Sequence, residues 1–491
     1  MEHGLMAEQN MADKIREYIS KEKERLHALE RLADSFDEHS RLGLKNPNAY
    51  LGNPINAFLF VKKFTIDWEK YVEESIKHKP TQVTTEFNTE LDRLRKKLPD
   101  EEDLTGSVQA ILRLQDMYDI PAKEIAEGSI GGLNTGELSA DACFELGRIA
   151  YEDGDYYHGF HWMAMAKERL EKERNKTTEM SDILDYMAWT AHELENDKLA
   201  LELTEELIKL VPDHLRAQNN RLDFIERVKK ASNDTSRVKR DLTNTTHYVP
   251  KPTPEYNGTP ELRSYKRLCK GLDVKPREKM SSIVCRYRHN NNPRLLLSPI
   301  KEEEVYRDAN MVLFHDIASD KEMKIIKSLA TPKLFRATVH DPATGKLVHA
   351  KYRITKTAWL EDRDHFVVRR VQNRIKAVTG LDLDSADSLQ VANYGIGGHY
   401  DPHYDFSTRD DQDTSELEKR DGNRIATFLL YDSTEPWNRS FWYNLRRSGK
   451  GIMETRHAAC PVLVGTKWVS NKWIRTRGQE FRRPCGLTED E

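Results

Sequence analysis

The chain has 491 residues, 38% of them hydrophobic and 32% charged, with a formal net charge of −4. That length suits about three domains, and the near balance of charge gives no bulk electrostatic case for binding nucleic acid or an anionic membrane. No run of about 18 apolar residues occurs, so no membrane span is expected.

The amino terminus, MEHGLMAEQNMADK, lacks the apolar core of a signal peptide. Between Met11 and Phe36, apolar residues fall at Ile15, Ile19, Leu26, Leu29, Ala33 and Phe36, and Glu22 completes an alternating spacing. This is a heptad seam of about three repeats, and equally the pattern of an amphipathic helix packed on its own domain. More helix is predicted through ILRLQDMYDI, after which Gly128, Gly131, Gly132 and Gly136 mark a linker.

Residues 139–231 read as four or five helices. LGRIAYEDGDYYHGFHWMAMAKERL is answered by LDYMAWTAHELENDKLALELTEELIKLVPDH, each half a helix, a polar turn and a second helix. The self-similarity is tetratricopeptide-like, with a period stretched beyond about 34 residues. Stacked helix pairs make a concave face, and Tyr151, Tyr156, Tyr157, Tyr186 and Trp189 put aromatic rings on these helices. Aromatic grooves bind polyproline II segments at low entropic cost; core packing is the commoner fate of helix aromatics.

Residues 232–299, rich in Asn, Thr, Pro and basic side chains, read as a linker. VLFHDIASDKEMKIIKSLA then predicts a strand and a helix capped by Ser319 or Asp320. Farther on, LQVANYGIGGHYDPHYDF carries a His-x-Asp pair, His403 and Asp405, and RHAACPVLVGTKWVSNKW carries His457 and Lys467. Residues two apart on a strand point the same way, so His403 and Asp405 can reach one ion, joined by His457 from another strand. Two imidazoles and a carboxylate on one face of a metal leave the opposite positions open, as a non-haem Fe(II) oxygenase needs. His399 and Asp401 repeat the spacing as a decoy amid Gly395, Gly397 and Gly398. CPVLV, a Gly465-Thr466 turn and KWVSNKW predict a hairpin on which Lys467, Val469, Asn471 and Trp473 share a face. A lysine buried in a barrel calls for a carboxylate partner, and the distal carboxylate of 2-oxoglutarate is one.

NYGIGGHYDPHYDF, GNRIAT, FWYNL, RHAACPVLVGTKWVSNKW and RGQEFRRPC resemble the α subunit of animal collagen prolyl 4-hydroxylase. So do PINAFLFVKKF near Pro54, AILRLQDMYDI, CFELGRIAYEDGDYYH and RATVHDPATGKL. The resemblance implies an α+β multidomain chain. Residues 1–127 would be a helical, coiled-coil dimerisation region and 139–231 a tetratricopeptide-like peptide-binding domain. Residues 232–299 would be a linker with a disulfide loop, and 300–491 a double-stranded β-helix (jelly-roll) dioxygenase. It implies iron ligands His403, Asp405 and His457, with Lys467 on the C5 carboxylate of 2-oxoglutarate and Tyr394 and Trp473 lining the co-substrate pocket. It also favours Tyr151, Tyr186 and Trp189 for a peptide groove, with Arg216 and Asn220 on the peptide backbone; Asp223 stands where an aromatic is often found.

The implied activity is 4-hydroxylation of proline in collagen-type X-Pro-Gly sequences, with Fe(II), 2-oxoglutarate and L-ascorbate. The implied partner is protein disulfide isomerase as β subunit of an α2β2 tetramer in the endoplasmic reticulum lumen, acting on procollagen-like peptides.

The cysteines number five, none in a C-x-x-C pair, so a zinc ribbon is not expected. Cys269 with Cys285, and Cys460 with Cys485, can each close a loop, the first worth about 3 kcal/mol in the chain-entropy model; five free thiols are the other reading. The resemblance implies those two disulfides, with Cys143 a small core residue. Sequons at Asn175, Asn233, Asn244, Asn257 and Asn438 lean toward the same compartment.

One departure stands out. After IATFLLY the family has about two strands with a Gly-Gly turn, a Thr and a Phe-Pro; here Asp432 to Ser440, DSTEPWNRS, replaces them. This reads as polar and strand-poor, with neighbouring strand edges exposed. Two alternatives follow: a catalytically silent peptide-binding subunit, or a hydrolytic or structural zinc site at the same triad.

Overall fold

The computed structural model describes residues 2–45, 101–134, 137–231, 259–272, 283–307, 309–340, 347–408, 416–432 and 439–488. PINAFLFVKKF, Gly136, residues 433–438 and the sequons at Asn233, Asn244, Asn257 and Asn438 lie outside them, as do most of the 232–299 linker and part of RATVHDPATGKL.

Residues Met1–Thr105 and Gly106–Glu491 form two separate units. The first holds helix α1 (Glu2–Leu44), unbroken across the heptad region, with Ile15, Ile19 and Leu26 exposed. Helices α2 (Glu101–Tyr118) and α3 (Ala122–Ala126) place Val108, Leu112, Ile120 and Ile125 in one core with the repeat helices, because the apolar face of ILRLQDMYDI has its partner there. The glycine linker is a short hairpin, β1 (Ser129–Ile130) with β2 (Leu133–Asn134).

Five helices follow: α4 (Ala140–Glu152), α5 (Tyr156–Lys172), α6 (Met180–Glu193), α7 (Asp197–Leu210) and α8 (Leu215–Ala231). Ser139, Asp155 and Asn196 cap α4, α5 and α7 by accepting from backbone N–H groups of the first turn. Gly147 and Gly159 meet where α4 crosses α5, and a Cβ on Gly147 would lie 3.0 Å from Met163. Cys143 is fully buried, as expected.

Helix α9 (Pro260–Cys269) leads to β3 (Cys285–Arg288), α10 (Pro293–Leu296), β4 (Ile300–Tyr306) and β5 (Met311–His315). The sheet therefore begins inside the expected linker. Helix α11 (Asp320–Ala330) opens with a complete capping box between Ser319 and Glu322. Short strands β6 (Phe335–Arg336), β7 (Val339–His340), β8 (Leu347–Val348) and β9 (Arg353–Ile354) precede β10 (Lys356–Leu360). Then come α12 (Phe366–Thr379), β11 (Leu389–Tyr394), β12 (His399–His403), α13 (Glu416–Asp421) and β13 (Arg424–Asp432). The last strands are β14 (Arg439–Tyr443), β15 (His457–Ala459) and β16 (Lys467–Arg475).

The main antiparallel sheet runs β3-β4-β5-β14-β13-β16-β11-β10-β6, and a second runs β15-β12-β9. Helices α11 and α12 bury Ile326, Val368, Val371 and Ile375 against Leu389, Val391, Phe428 and Ile474 on one face of the main sheet. On the other face Ala392, Tyr394, Val462 and Val469 form a small inner cluster.

Three expectations change. The segment from Asp432 to Ser440 is not strand-poor throughout: Asp432 ends β13, Arg439 and Ser440 begin β14, and Leu430 pairs with Arg439. The main sheet is thus unbroken, and Arg439, fully buried, donates to the carbonyls of Tyr431 and Ala318. The second sheet does end at β15.

The CPVLV hairpin does not form. Pro461 has no N–H to give a ladder, and the chain crosses from β15 in one sheet to β16 in the other, with Val462 bridged to Ile396 instead.

The disulfide joins Cys269 to Cys460, leaving Cys285 and Cys485 free and exposed, against both expected pairings. Helix α9 lies beside β15, where Tyr265 donates to the Ala459 carbonyl at 3.1 Å and Glu261 pairs with Arg456. Cys269 and Cys460 are thereby brought to a Cα separation of 5.5 Å, within bridging range, while β3 carries Cys285 to the far edge of the main sheet. Loop length alone says nothing of that placement.

Candidate metal centre and peptide groove

His403 closes β12 and faces His457, the first residue of β15, across the ladder. A register shift between Tyr400 and His403 adds a residue to β12, and a bulge of this kind re-aims the side chains beyond it. Tyr400 and His403 consequently stack at 3.5 Å between ring centroids. Asp405 follows just past the strand. His403 Nε2 lies 3.8 Å from Asp405 Oδ1, and His457 Nε2 lies 3.6 Å from Oδ2. One ligand atom from each of the three residues lies within 4.8 Å of the others.

The donor set is prepared for a metal. His403 Nδ1 donates to the Asp401 carbonyl at 2.7 Å, and His457 Nδ1 to the Thr455 carbonyl at 2.9 Å. Those bonds fix the Nδ1–H tautomer and leave both Nε2 lone pairs facing Asp405. Burial, helped by His457, pushes His403 down to about 4, so it is neutral at physiological pH. Burial, the largest effect on Asp405, works to raise it, but the imidazoles of His457 and His403, the Arg424 guanidinium and the Thr427 hydroxyl together hold it below the usual carboxylate range. A neutral His403 imidazole beside an ionised carboxylate suits a divalent cation.

Behind the carboxylate runs a buried relay that local sequence patterns do not single out. Thr427 donates to Asp405 Oδ2 at 2.8 Å, Asn444 donates to Thr427 at 2.9 Å, and Trp442 Nε1 donates to Asn444 at 2.8 Å. Trp442 also sits edge-on to His457 at 5.0 Å. The signal was present in FWYNL, where Trp442 and Asn444 alternate with strand period, but nothing local tells such a pair from ordinary core.

The decoy pair resolves. His399 and Asp401 lie 3.5 Å apart and stay outside the triad; burial pushes His399 down to about 3, and its Nδ1 has no hydrogen-bond partner.

On β16, Lys467 pairs with Tyr394 across the ladder. Its Nζ lies 4.8 Å from the Tyr394 ring centroid and donates to the Cys460 carbonyl at 2.9 Å. No carboxylate neutralises it among the described residues, and burial brings it down to about 8. Burial likewise pushes Tyr394 up to about 12. Trp473 is buried against the Arg424 guanidinium, 3.9 Å from its ring, and its Nε1 has no partner. An uncompensated ammonium and an orphaned buried N–H fit an anionic ligand.

In the helical domain, Tyr151 on α4 meets Tyr186 on α6 edge-to-face at 5.1 Å, and Arg216 on α8 pairs with Asp185 beside them. Phe144, not anticipated, packs edge-on to Tyr186 at 5.5 Å; it stands two helical turns before Tyr151. Trp189 is half-buried against His192 at 5.3 Å, and Asn220 is half-buried on α8. Tyr157 belongs to the core, against His161 at 4.6 Å. Asp223 is engaged by Arg227 at 2.7 Å.

Comparison with known proteins places these features. Residues 1–132 match the family described as prolyl 4-hydroxylase alpha-subunit, N-terminal region, and residues 140–230 the prolyl 4-hydroxylase peptide-substrate-binding domain. The chain is 39% identical over 511 aligned residues to prolyl 4-hydroxylase subunit alpha-1 of Rattus norvegicus, covering 99% of this chain and 94% of that one. It is 40% identical to subunit alpha-2 of Gallus gallus, over 99% of this chain and 93% of that one. Subunit alpha-2 of Caenorhabditis elegans is 39% identical, over 100% of this chain and 93% of its own.

Proposed function

The chain belongs to the prolyl 4-hydroxylase α-subunit family, and from that premise we propose that it hydroxylates proline at C4 in collagen-type X-Pro-Gly sequences. His403, Asp405 and His457 hold Fe(II). The observation that carries this is their convergence, within 4.8 Å, with both histidines bonded through Nδ1 to backbone carbonyls and Nε2 left toward the carboxylate. The chemistry Fe(II) would supply there is decarboxylation of 2-oxoglutarate coupled to hydroxylation, with dioxygen as oxidant giving one oxygen atom to succinate and one to hydroxyproline, and carbon dioxide released.

The chain's own part is binding, orientation and exclusion of water. Lys467 neutralises the distal carboxylate of 2-oxoglutarate, Tyr394 walls the pocket beneath it, and Trp473 offers a buried donor. Thr427, Asn444 and Trp442 fix the Asp405 carboxylate. L-Ascorbate would serve as the reductant for iron held at this site. The edge-to-face rings of Tyr151 and Tyr186, with Trp189, Arg216 and Asn220, receive a proline-rich segment, and Phe144 backs Tyr186. The exposed seam of α1 serves dimerisation. Family membership supports protein disulfide isomerase as β subunit and residence in the endoplasmic reticulum lumen, where the Cys269–Cys460 bridge is stable.

The test is succinate release from 2-oxoglutarate with a (Pro-Pro-Gly)-type peptide, dependent on Fe(II) and dioxygen. Intact peptide binding without succinate indicates a silent subunit; turnover with zinc in the absence of dioxygen refutes the oxygenase.

A further inference from the structure

Helix α2 belongs to the core of the helical domain. Its Gln115 accepts from Trp162 Nε1 at 2.9 Å, and Gln109 donates to Asp153 at 2.6 Å. The adjacent face of the same helix carries Ala110, Arg113, Met117 and Tyr118 at helical spacing, and three of these touch the barrel. Arg113 donates to the Gly397 carbonyl at 2.8 Å, and Tyr118 donates to the Pro461 carbonyl at 2.6 Å. Ala110 packs so closely on Gly397, at φ +68, that a Cβ there would lie 2.5 Å from the alanine methyl.

The two loops so gripped are the ones that matter for the metal centre. Gly395–Gly398 leads into β12, which ends at His403. Pro461–Gly465 follows β15 with His457 and leads into Lys467. They are tied to each other, Gly397 N donating to the Val462 carbonyl at 2.8 Å and Val462 N to the Gly398 carbonyl at 3.1 Å. Just beyond the helix, Asp119 pairs with Lys266 and Lys270 of the α9 segment, next to the Cys269–Cys460 bridge. One helix packed on the core of the repeat helices thus clamps the two loops that lead into the proposed catalytic centre.

We propose that Arg113 and Tyr118 are positioning residues for the hydroxylation: through the carbonyls of Gly397 and Pro461 they hold the His403 and Lys467 loops in register, so the helical domain pre-organises the co-substrate pocket. This rests on the function proposed above. Neither residue touches a reacting atom. The Tyr118 ring also packs on the helical core, so the substitution that tests it keeps the ring and removes only the hydroxyl, while Arg113 lies on another face from Val108, Leu112 and Gln115.

The experiment uses the full chain in its native assembly, with Arg113→Met and Tyr118→Phe. Amide hydrogen exchange at Gly397 and Val462 is measured on metal-free protein, and KM for 2-oxoglutarate is measured separately from kcat. Loss of one such hydrogen bond is expected to speed exchange at those two amides about tenfold, with exchange in α4–α8 unchanged. KM for 2-oxoglutarate is expected to rise severalfold while kcat changes less. Unaltered exchange at Gly397 and Val462 overturns the proposal, as does a fall in kcat with KM unmoved. Were the wild-type protein to release no succinate, the functional reading would fail, and the exchange contrast would still decide the clamp.

Discussion

Thr427, on β13 of the main sheet, donates a 2.8 Å hydrogen bond to Asp405, which follows β12 of the second sheet. The two sheets of the barrel therefore meet at the carboxylate. A candidate metal ligand is aimed by a neighbour on the opposite wall.

Replacing Thr427 by Val keeps the shape and removes the hydroxyl, freeing Asp405 Oδ2 and leaving the Asn444 amide without its acceptor. Partners of this kind are worth about 10–100-fold in metal affinity. Titration of the metal-free protein with Fe(II) under anaerobic conditions should show that loss, and Asn444→Leu a similar one. His403→Ala should abolish binding; a fully active His403→Ala protein would refute the ligand assignment.

Lys467 sets a pH limit. Free of ligand it titrates near 8, lowered by burial from 10.5. Binding a dicarboxylate needs the ammonium, so affinity for 2-oxoglutarate is level below about pH 8 and falls up to about tenfold per unit above it. Lys467→Ala should remove that dependence and raise KM by about 10–100-fold, the range for a hydrogen bond to a charged group. The linkage to folding has the opposite slope. Between about 8 and 10.5 the unfolded chain holds the proton that the folded one has lost, so the burial cost of this lysine diminishes as pH rises.

Peptide mapping without reduction should recover Cys269 cross-linked to Cys460, with Cys285 and Cys485 open to alkylation. A fragment linking Cys269 to Cys285 would contradict the placement of α9. Cys269→Ser should lower stability by about 2–5 kcal/mol, read as an earlier denaturant midpoint in the barrel than in the helical domain.

Tyr186→Ala should weaken binding of a proline-rich peptide about 30-fold, as for a central aromatic anchor, because Tyr151 and Phe144 both lose their edge-to-face partner. Fluorescence titration on protein without iron reads this directly. Asp223→Ala should leave affinity within about twofold, since Asp223 is occupied by Arg227.

Among the described residues the second sheet has three strands, and β15 ends it close to the triad. Water exclusion there should be incomplete. Succinate release is expected to exceed hydroxyproline formation severalfold at saturating peptide; a ratio near one would show that the pocket is closed by other means.

The triad and Lys467 could be proposed from the chain because chemistry restricts which residue types serve there, whereas Tyr394 and Trp473 were indicated only by the family resemblance. The start of α11 was legible because cap signals are local: of the two candidate caps, Ser319 and Asp320, Ser319 is the cap, and Glu322 completes a box not anticipated from the sequence. What escaped depends on distant partners. Thr427 and Asn444 are unremarkable until β13 and β14 lie side by side. The Cys269–Cys460 bridge spans 191 residues and follows from where α9 docks. The hairpin expected after Cys460 failed because periodicity cannot tell whether two adjacent segments join one sheet or two. The bulge before His403 reversed a parity that simple alternation would have fixed.

Leu430 and Arg439 pair directly across β13 and β14. Whatever connects those strands can therefore grow or shrink without disturbing the register of β12, β15 or β16. The strands that carry the candidate ligands are held by their own ladders, so variation in chain length at that junction leaves the separations among His403, Asp405 and His457 as they are.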